Sequence, residues 1–256
     1  MLTAGVDLAA EAAGTALAVV EWAGRGADGA GARARLVEVT VGVDDTAIVG
    51  VAGGVEKLGI DCALGWPDAF VDFVSAHAAG RAVAGEVDGG MEWRRRLAYR
   101  ETDRRAREVT GRWPLSVSTD RLGLTAMRCA GLLARLGESG VEVDRSGSGL
   151  VVEVYPGASL RLWGIDTRNY RVDADARRRV LAELKQAAPW IELGGFEERM
   201  VASGDALDAL VAALAARSAA IGSSAQPWPE VRSQAEREGW IALPTGALRD
   251  LAHPLD

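Results

Sequence analysis

LTAGVDLAAEAAGTALAVVEW (2–22) reads as two short apolar strands, LTAGVDLA (2–9) and GTALAVVEW (14–22), with small residues between them that suit a hairpin turn. The Gly/Ala-rich AGRGADGAGAR (23–33) reads as a loop. ARLVEVTV (34–41) alternates in polarity and is rich in β-branched residues, which predicts a third strand. Asp44 and Asp45 then offer an N-cap for the helical run TAIVGVAGGV. KLGIDCAL (57–64) is a fourth strand, stopped by Gly65-Trp66-Pro67. The order is β-β-β-α-β.

Three successive strands followed by a helix and a fourth strand form the opening of a ribonuclease-H-like α/β fold, a mixed sheet flanked by helices. They are not the strict strand-helix alternation of a Rossmann domain. Beyond Pro67 the pattern turns helical: DAFVDFVSAHA, the Arg-rich 91–112, and STDRLGLTAMRCAGLLARLGES (118–139) with Thr119 or Asp120 as cap. Residues 67–145 are therefore read as a helical insertion within one domain spanning 1–256. Strand character returns at GLVVEVYP (149–156), and helices are predicted at 157–163, 173–187 and 203–219. A Pro/Ser loop, IGSSAQPWPE, leads to the closing GWIALP (239–244), and no internal repeat is visible.

With 48% apolar and 25% charged residues, the 256-residue chain can build and solvate a globular core, so it is not a disordered chain. No apolar run is long enough to span a membrane. MLTAGVDLAAEAAG lacks the basic flank of a secretion signal, so a cytoplasmic location is expected. Cys62 and Cys129 belong to no C-x-x-C pair, which excludes a zinc ribbon and suits reduced thiols. His77 and His253 are the sole histidines, which excludes H-E-x-x-H chemistry and argues against a Ser-His-Asp triad. GVAGGVEK (50–57) lacks the GxxxxGK[ST] spacing of a phosphate loop. Catalysis, if any, falls to carboxylates, arginines and a metal.

The net charge of −7 argues against a protein that coats nucleic acid. Its basic residues are lopsided, with 27 Arg against 2 Lys. MEWRRRLAYRETDRRAREVTGR (91–112) holds eight Arg against four acids, a local +4. One reading is a solvated helix face. The other is a surface that tracks phosphates, with Arg94 to Arg96, Arg100, Arg104 and Arg105 as contacts. Arg100 and Asp103, three apart, also suit a simple helical ion pair.

Three acids sit inside strands: Asp7 near the end of the first, Asp61 in KLGIDCAL, and Glu153 in VVEVYP on one face with Val151 and Tyr155. Asp205 and Asp208 are three apart on a helix that Ser203 is placed to cap. A buried isolated charge is costly unless it is paired or neutralised. In a ribonuclease-H-like sheet the first strand, the fourth strand and a C-terminal helix converge at one edge. Two carboxylates about 4 Å apart repel by about 4 kcal/mol at an effective dielectric near 20. A cation between them removes that cost, and oxygen-only donors point to Mg²⁺ or Mn²⁺. Such a site suits two-metal hydrolysis of phosphodiesters.

GVDLA…GTALAVVEW, GIDCALGWP, the Arg-x-x-Asp of YRETD, VVEVYPGASL, GDALDALVAALAAR and EGWIALP follow one another as in domain-of-unknown-function family 429, which the chain resembles over nearly its whole length. That family is described as predicted RNase H-like nucleases. The resemblance implies that its acidic positions fall on Asp7, Asp61, Glu153 and Asp208, and its R-x-x-D on Arg100 and Asp103. The D-x-x-D pair also resembles the C-terminal helix of RuvC-type junction resolvases. The expectation is a metal-dependent nuclease acting on DNA or RNA. Asp7, Asp61, Glu153 and Asp208 would be catalytic, Asp205 a supporting metal ligand, and Arg100, Asp103 and Arg104 would bind substrate. The alternatives are a non-catalytic binding or assembly module of the same fold, and an actin-like phosphotransferase. The latter should carry a Gly-rich turn after Asp7, where LAAEAAGT has one glycine.

Overall fold

A computed structural model describes residues 1–23, 33–83, 85 and 89–252. Most of the 23–33 loop and His253 lie outside the described residues. The opening elements are β1 (Leu2–Asp7), β2 (Ala16–Ala23), β3 (Arg33–Val41), α1 (Asp45–Ala52) and β4 (Lys57–Asp61). Asp44 caps α1, its carboxylate accepting from the Ala47 N–H at 2.9 Å, as the sequence predicts. α2 (Asp68–Ala78), α3 (Gly90–Ala98), α4 (Glu101–Thr110) and α5 (Gly123–Glu138) follow. The chain then forms β5 (Val151–Glu153), α6 (Pro156–Leu162), α7 (Ala174–Ala187), β6 (Ile191–Glu192), α8 (Glu197–Ala202), α9 (Gly204–Ala220) and α10 (Arg232–Glu238).

The fold is mixed α/β. Its sheet runs β5-β4-β1-β2-β3-β6, antiparallel through β1-β2-β3 and parallel at β1-β4, β4-β5 and β3-β6. The β-β-β-α-β opening is thus present as read. Several limits differ. β1 and β4 end at the acids Asp7 and Asp61 rather than two or three residues later, and β5 has three residues. GWIALP forms no strand: Ile241 makes an isolated bridge to Glu153. The Arg-rich stretch is two helices, because Arg100 is extended and its N–H donates to Asp103 (2.9 Å), closing the cap of α4. α5 starts at Gly123, since Asp120 instead accepts from the Ser116 N–H at 2.8 Å.

Period-two alternation assigns the two faces of the sheet. On β1, Ala4 and Val6 pack with Ile48 of α1 and with Ala126, Leu132 and Leu136 of α5. α5 therefore belongs to the core, although it lies within 67–145. Thr3 and Gly5 face the other way, toward α9: Thr3 Oγ1 donates to the Ala213 carbonyl (3.0 Å) and accepts from Trp22 Nε1 (2.9 Å). α9 covers that face so fully that residues 206–218 are all buried. This explains an apolar pattern on every side of the helix. Burial of Leu207, Leu210 and Leu214 contributes roughly 1.5–3 kcal/mol each. Gly5 and Gly59 admit α9 this closely: a Cβ on Gly59 would lie 2.7 Å from the Ala212 carbonyl oxygen.

Among the described residues no helix is long and apolar enough to cross a membrane. Cys62 and Cys129 are free thiols, both buried. A hydrogen bond with Cys129, together with burial, holds the Cys62 thiol well above its ordinary range.

Candidate active site

Asp7 and Asp61 are register partners on adjacent parallel strands, β1 and β4. Both follow the parity of Gly5 and Gly59, so they share the face covered by α9. Asp208 lies one turn into α9, behind the Ser203 cap, whose Oγ accepts from the Ala206 N–H (3.2 Å). Three elements thus bring Asp7, Asp61 and Asp208 to one end of the sheet, with Asp205 exposed at the rim. Asp7 and Asp61 line a cleft of about 190 Å³ with Leu115, Tyr155 and Arg171.

Asp7, Asp61 and Asp208 disturb one another. Burial and then the fields of Asp61, Asp208 and Asp205 raise the Asp7 carboxyl well above the usual range. Burial first and Asp208 second push Asp61 to about 7. Burial and Asp205 push Asp208 to about 6, against the pull of Arg171 and of the Tyr170 hydroxyl, which donates to it at 2.8 Å. Arg171 is the cation at this cluster, with Nη2 3.4 Å from Asp208 and 3.9 Å from Asp61. Neither Tyr170 nor Arg171 stood out in the sequence. Their signal, an aromatic and a cation shortly before α7, is too generic to read without the fold.

Raised carboxyl pKa values have a signed consequence for stability. A group at about 7 when folded and near 3.8 when unfolded holds its proton better in the native state. Its stability contribution is full below the unfolded value and is lost as pH rises through the folded one. Cation-free Asp61→Asn should therefore match wild type near pH 3 and melt higher at pH 8. A ceiling of about 4 kcal/mol follows from about 1.4 kcal/mol per unit. Sharing among coupled acids makes a rise of about 3–8 °C the expected result of melting curves across that range. An offset that does not vary with pH would refute the coupling.

Glu153 lines the same cleft as Asp7 and Asp61 but reaches it from the other face of the sheet. It pairs in register with Ile60, so parity puts it on the face opposite Asp61. There it is 3% exposed, with Oε1 accepting from Arg100 Nη2 (2.7 Å) and Oε2 from Arg100 Nη1 (2.8 Å) and the Leu64 N–H (3.0 Å). These bonds hold Glu153 from its own side, while it still lines the cleft of Asp7 and Asp61 and its charge helps to raise the Asp61 carboxyl.

Arg100 and Asp103, read as substrate contacts, are instead buried in an ion-pair network. Arg100 is 2% and Asp103 0% exposed. All five guanidinium N–H groups are used: Nε and Nη2 on Asp103, Nη1 and Nη2 on Glu153, and Nη1 also on the Glu238 carbonyl. A phosphate would have to break this network to reach it. The Glu238 carboxylate accepts from the Asp68 N–H (2.8 Å) and the Glu101 N–H (3.2 Å), which pins the starts of α2 and α4 to the same point. Arg104 pairs with Glu101 (2.9 Å) and Arg105 with Glu108 (3.1 Å), while Arg94, Arg95 and Arg96 are exposed on α3. Much of the local positive charge is thus spent within the segment.

Oxygen-only donors with mutually raised pKa values have the chemistry a hard divalent cation satisfies. Among the described residues, no group of three or more His, Cys, Asp or Glu side chains is already arranged to hold an ion. In this arrangement Arg171 meets Asp61 and Asp208 instead.

No curated protein and no solved structure matches this chain. A family model, described as a protein of unknown function (DUF429), matches residues 5–232. That span takes in the Asp7 and Asp61 strand ends, Arg100 with its carboxylate partners Asp103 and Glu153, and the Asp208 helix, and the chain belongs to the DUF429 family.

Proposed function

We propose that this protein hydrolyses phosphodiester bonds in DNA or RNA, and that Asp7, Asp61 and Asp208 hold Mg²⁺ or Mn²⁺, with Asp205 at the rim. One observation carries the reading: three carboxyls from separate elements meet at a strand edge with raised pKa values and Arg171 as partial counter-charge. Such sites are kept for function, because repulsion within them costs stability. When bound, the cation supplies positive charge against the phosphate and acidity to a water. Tyr170 Oη fixes the orientation of Asp208, and Arg171, half exposed, is placed to turn from the acids to an incoming phosphate. Arg95 and Arg96, exposed on α3, are candidate contacts for a nucleic-acid backbone.

The assay is cleavage of labelled single-stranded DNA, duplex DNA and RNA with Mg²⁺ or Mn²⁺. Wild type should cut at least one polymer, chelator should abolish cutting, and Asp7→Asn should lower the rate by at least about 100-fold. Failure to cut all three, or equal rates in Asp7→Asn, would end the proposal.

A further inference from the structure

Beside the acidic cleft lies a second cavity of about 280 Å³, bounded by Tyr155, Arg161, Thr167, Asn169 and Arg171. Tyr155 and Arg171 line both cavities, which therefore share a wall. They differ in their carboxylates. Asp7, Asp61 and Glu153 line the first beside Arg100 and Arg171, whereas the second is lined by Arg161 and Arg171 and by no Asp or Glu. Arg161, on α6, donates from Nε to Thr167 Oγ1 at 3.0 Å, and its Nη1 is buried with no acceptor. A buried cationic donor without an acceptor is costly, and an anion that satisfies it recovers that cost. Arg161 also borders a third cavity, but Asp166 and Glu183 line that one and repel an anion. The side toward Arg171 is the favourable one. There Thr167 and Asn169 add neutral hydrogen-bonding groups, and two guanidinium forks suit phosphate oxygens.

We propose that this cavity is a phosphate subsite: Arg161 and Arg171 hold a second phosphate of the substrate, adjacent to the one at the acidic cleft. The substrate then carries at least two phosphate groups, as an oligonucleotide does. The assignment rests on the phosphodiester reading above and adds to it the means by which the polymer is positioned. Arg171 would face both phosphates, since it spans the wall between the cavities. Arg161 is a positioning residue that acts on binding rather than on the reacting bond.

The test uses the full chain and inorganic phosphate as probe, titrated calorimetrically without divalent cation at fixed ionic strength. Wild type should bind phosphate. Arg161→Gln should bind it about 10- to 100-fold more weakly, and Arg161→Lys, which keeps the charge and one donor, should fall between. In the cleavage assay, phosphate should compete with oligonucleotide. Arg161→Gln should raise the oligonucleotide KM about tenfold or more with kcat little changed, and leave the KM for bis(p-nitrophenyl) phosphate, a single phosphodiester, as it was. Equal phosphate affinity in all three proteins, or cleavage with an unaltered oligonucleotide KM in Arg161→Gln, would overturn the subsite. Arg161→Lys supplies the same readings if Arg161→Gln does not fold. Arg161-dependent phosphate binding in a protein that cuts nothing would keep the subsite and dismiss the nuclease.

Discussion

Arg100→Ala is expected to lower stability by about 3–5 kcal/mol, or roughly 6–20 °C in melting temperature for a chain of this size. Arg100 is bonded through every donor it has to Asp103, Glu153 and the Glu238 carbonyl, all at buried residues. Truncation leaves two carboxylates facing each other with no cation and little water. Burial already holds the Glu153 carboxyl above its usual range even with Arg100 present. Without the guanidinium it rises further, so the native state holds that proton more tightly and the deficit is smaller at pH 5 than at pH 8. Arg100→Lys should recover only part of the loss, because three donors cannot replace five. Thermal melts of the three proteins at both pH values check this. A loss under about 1 kcal/mol would mean that the network is solvated.

Gly5→Ala should be nearly as damaging, although it adds one methyl group. The new Cβ would collide with backbone atoms of Ala209 and Ala213 and lie 2.6 Å from the Ala212 carbonyl carbon. Backbone cannot rotate aside as a side chain does, so α9 must lift from the sheet. The expected loss is roughly 3–5 kcal/mol, with Asp208 drawn away from Asp7 and Asp61. Gly50 is the control: it is exposed within α1 with nothing near its would-be Cβ, and Gly50→Ala should stabilise by about 0.5–1 kcal/mol. Melting curves of both variants separate steric collision from loss of glycine as such. Equal, small effects would show that α9 does not depend on contact at Gly5.

The β-β-β-α-β opening was legible because each segment carries its own period, and Asp7 and Asp61 stood out as acids inside apolar strands. Asp208 was legible for the same reason on a helix that is apolar all round. Glu153 was legible as an acid at the cleft but not in the face it approaches from. Alternation on one strand shows which residues share a face, but not which face the neighbouring strand presents. The register Ile60↔Glu153 settles that, and it is a tertiary fact. Arg100 was legible only as a charge, because composition gives the charge of a segment but not where each guanidinium is buried. GWIALP has strand composition, yet its Ile241 N–H donates to Thr102 Oγ1 (2.8 Å) instead of a ladder. Tyr170 and Arg171 have no local signature at all, since their role comes from the approach of their loop to α9.

The most direct measurement is the melting temperature at pH 7.5 with and without Mg²⁺ or Mn²⁺, for wild type, Asp61→Asn and Asp208→Asn. A cation that binds only the native state adds about 2.7 kcal/mol at 100 times its dissociation constant, which is roughly 5–10 °C here. Wild type should show that rise, and both variants should melt above cation-free wild type yet gain almost nothing from the cation. No rise in wild type, or a rise that persists undiminished in both variants, would contradict a cation held by Asp7, Asp61 and Asp208.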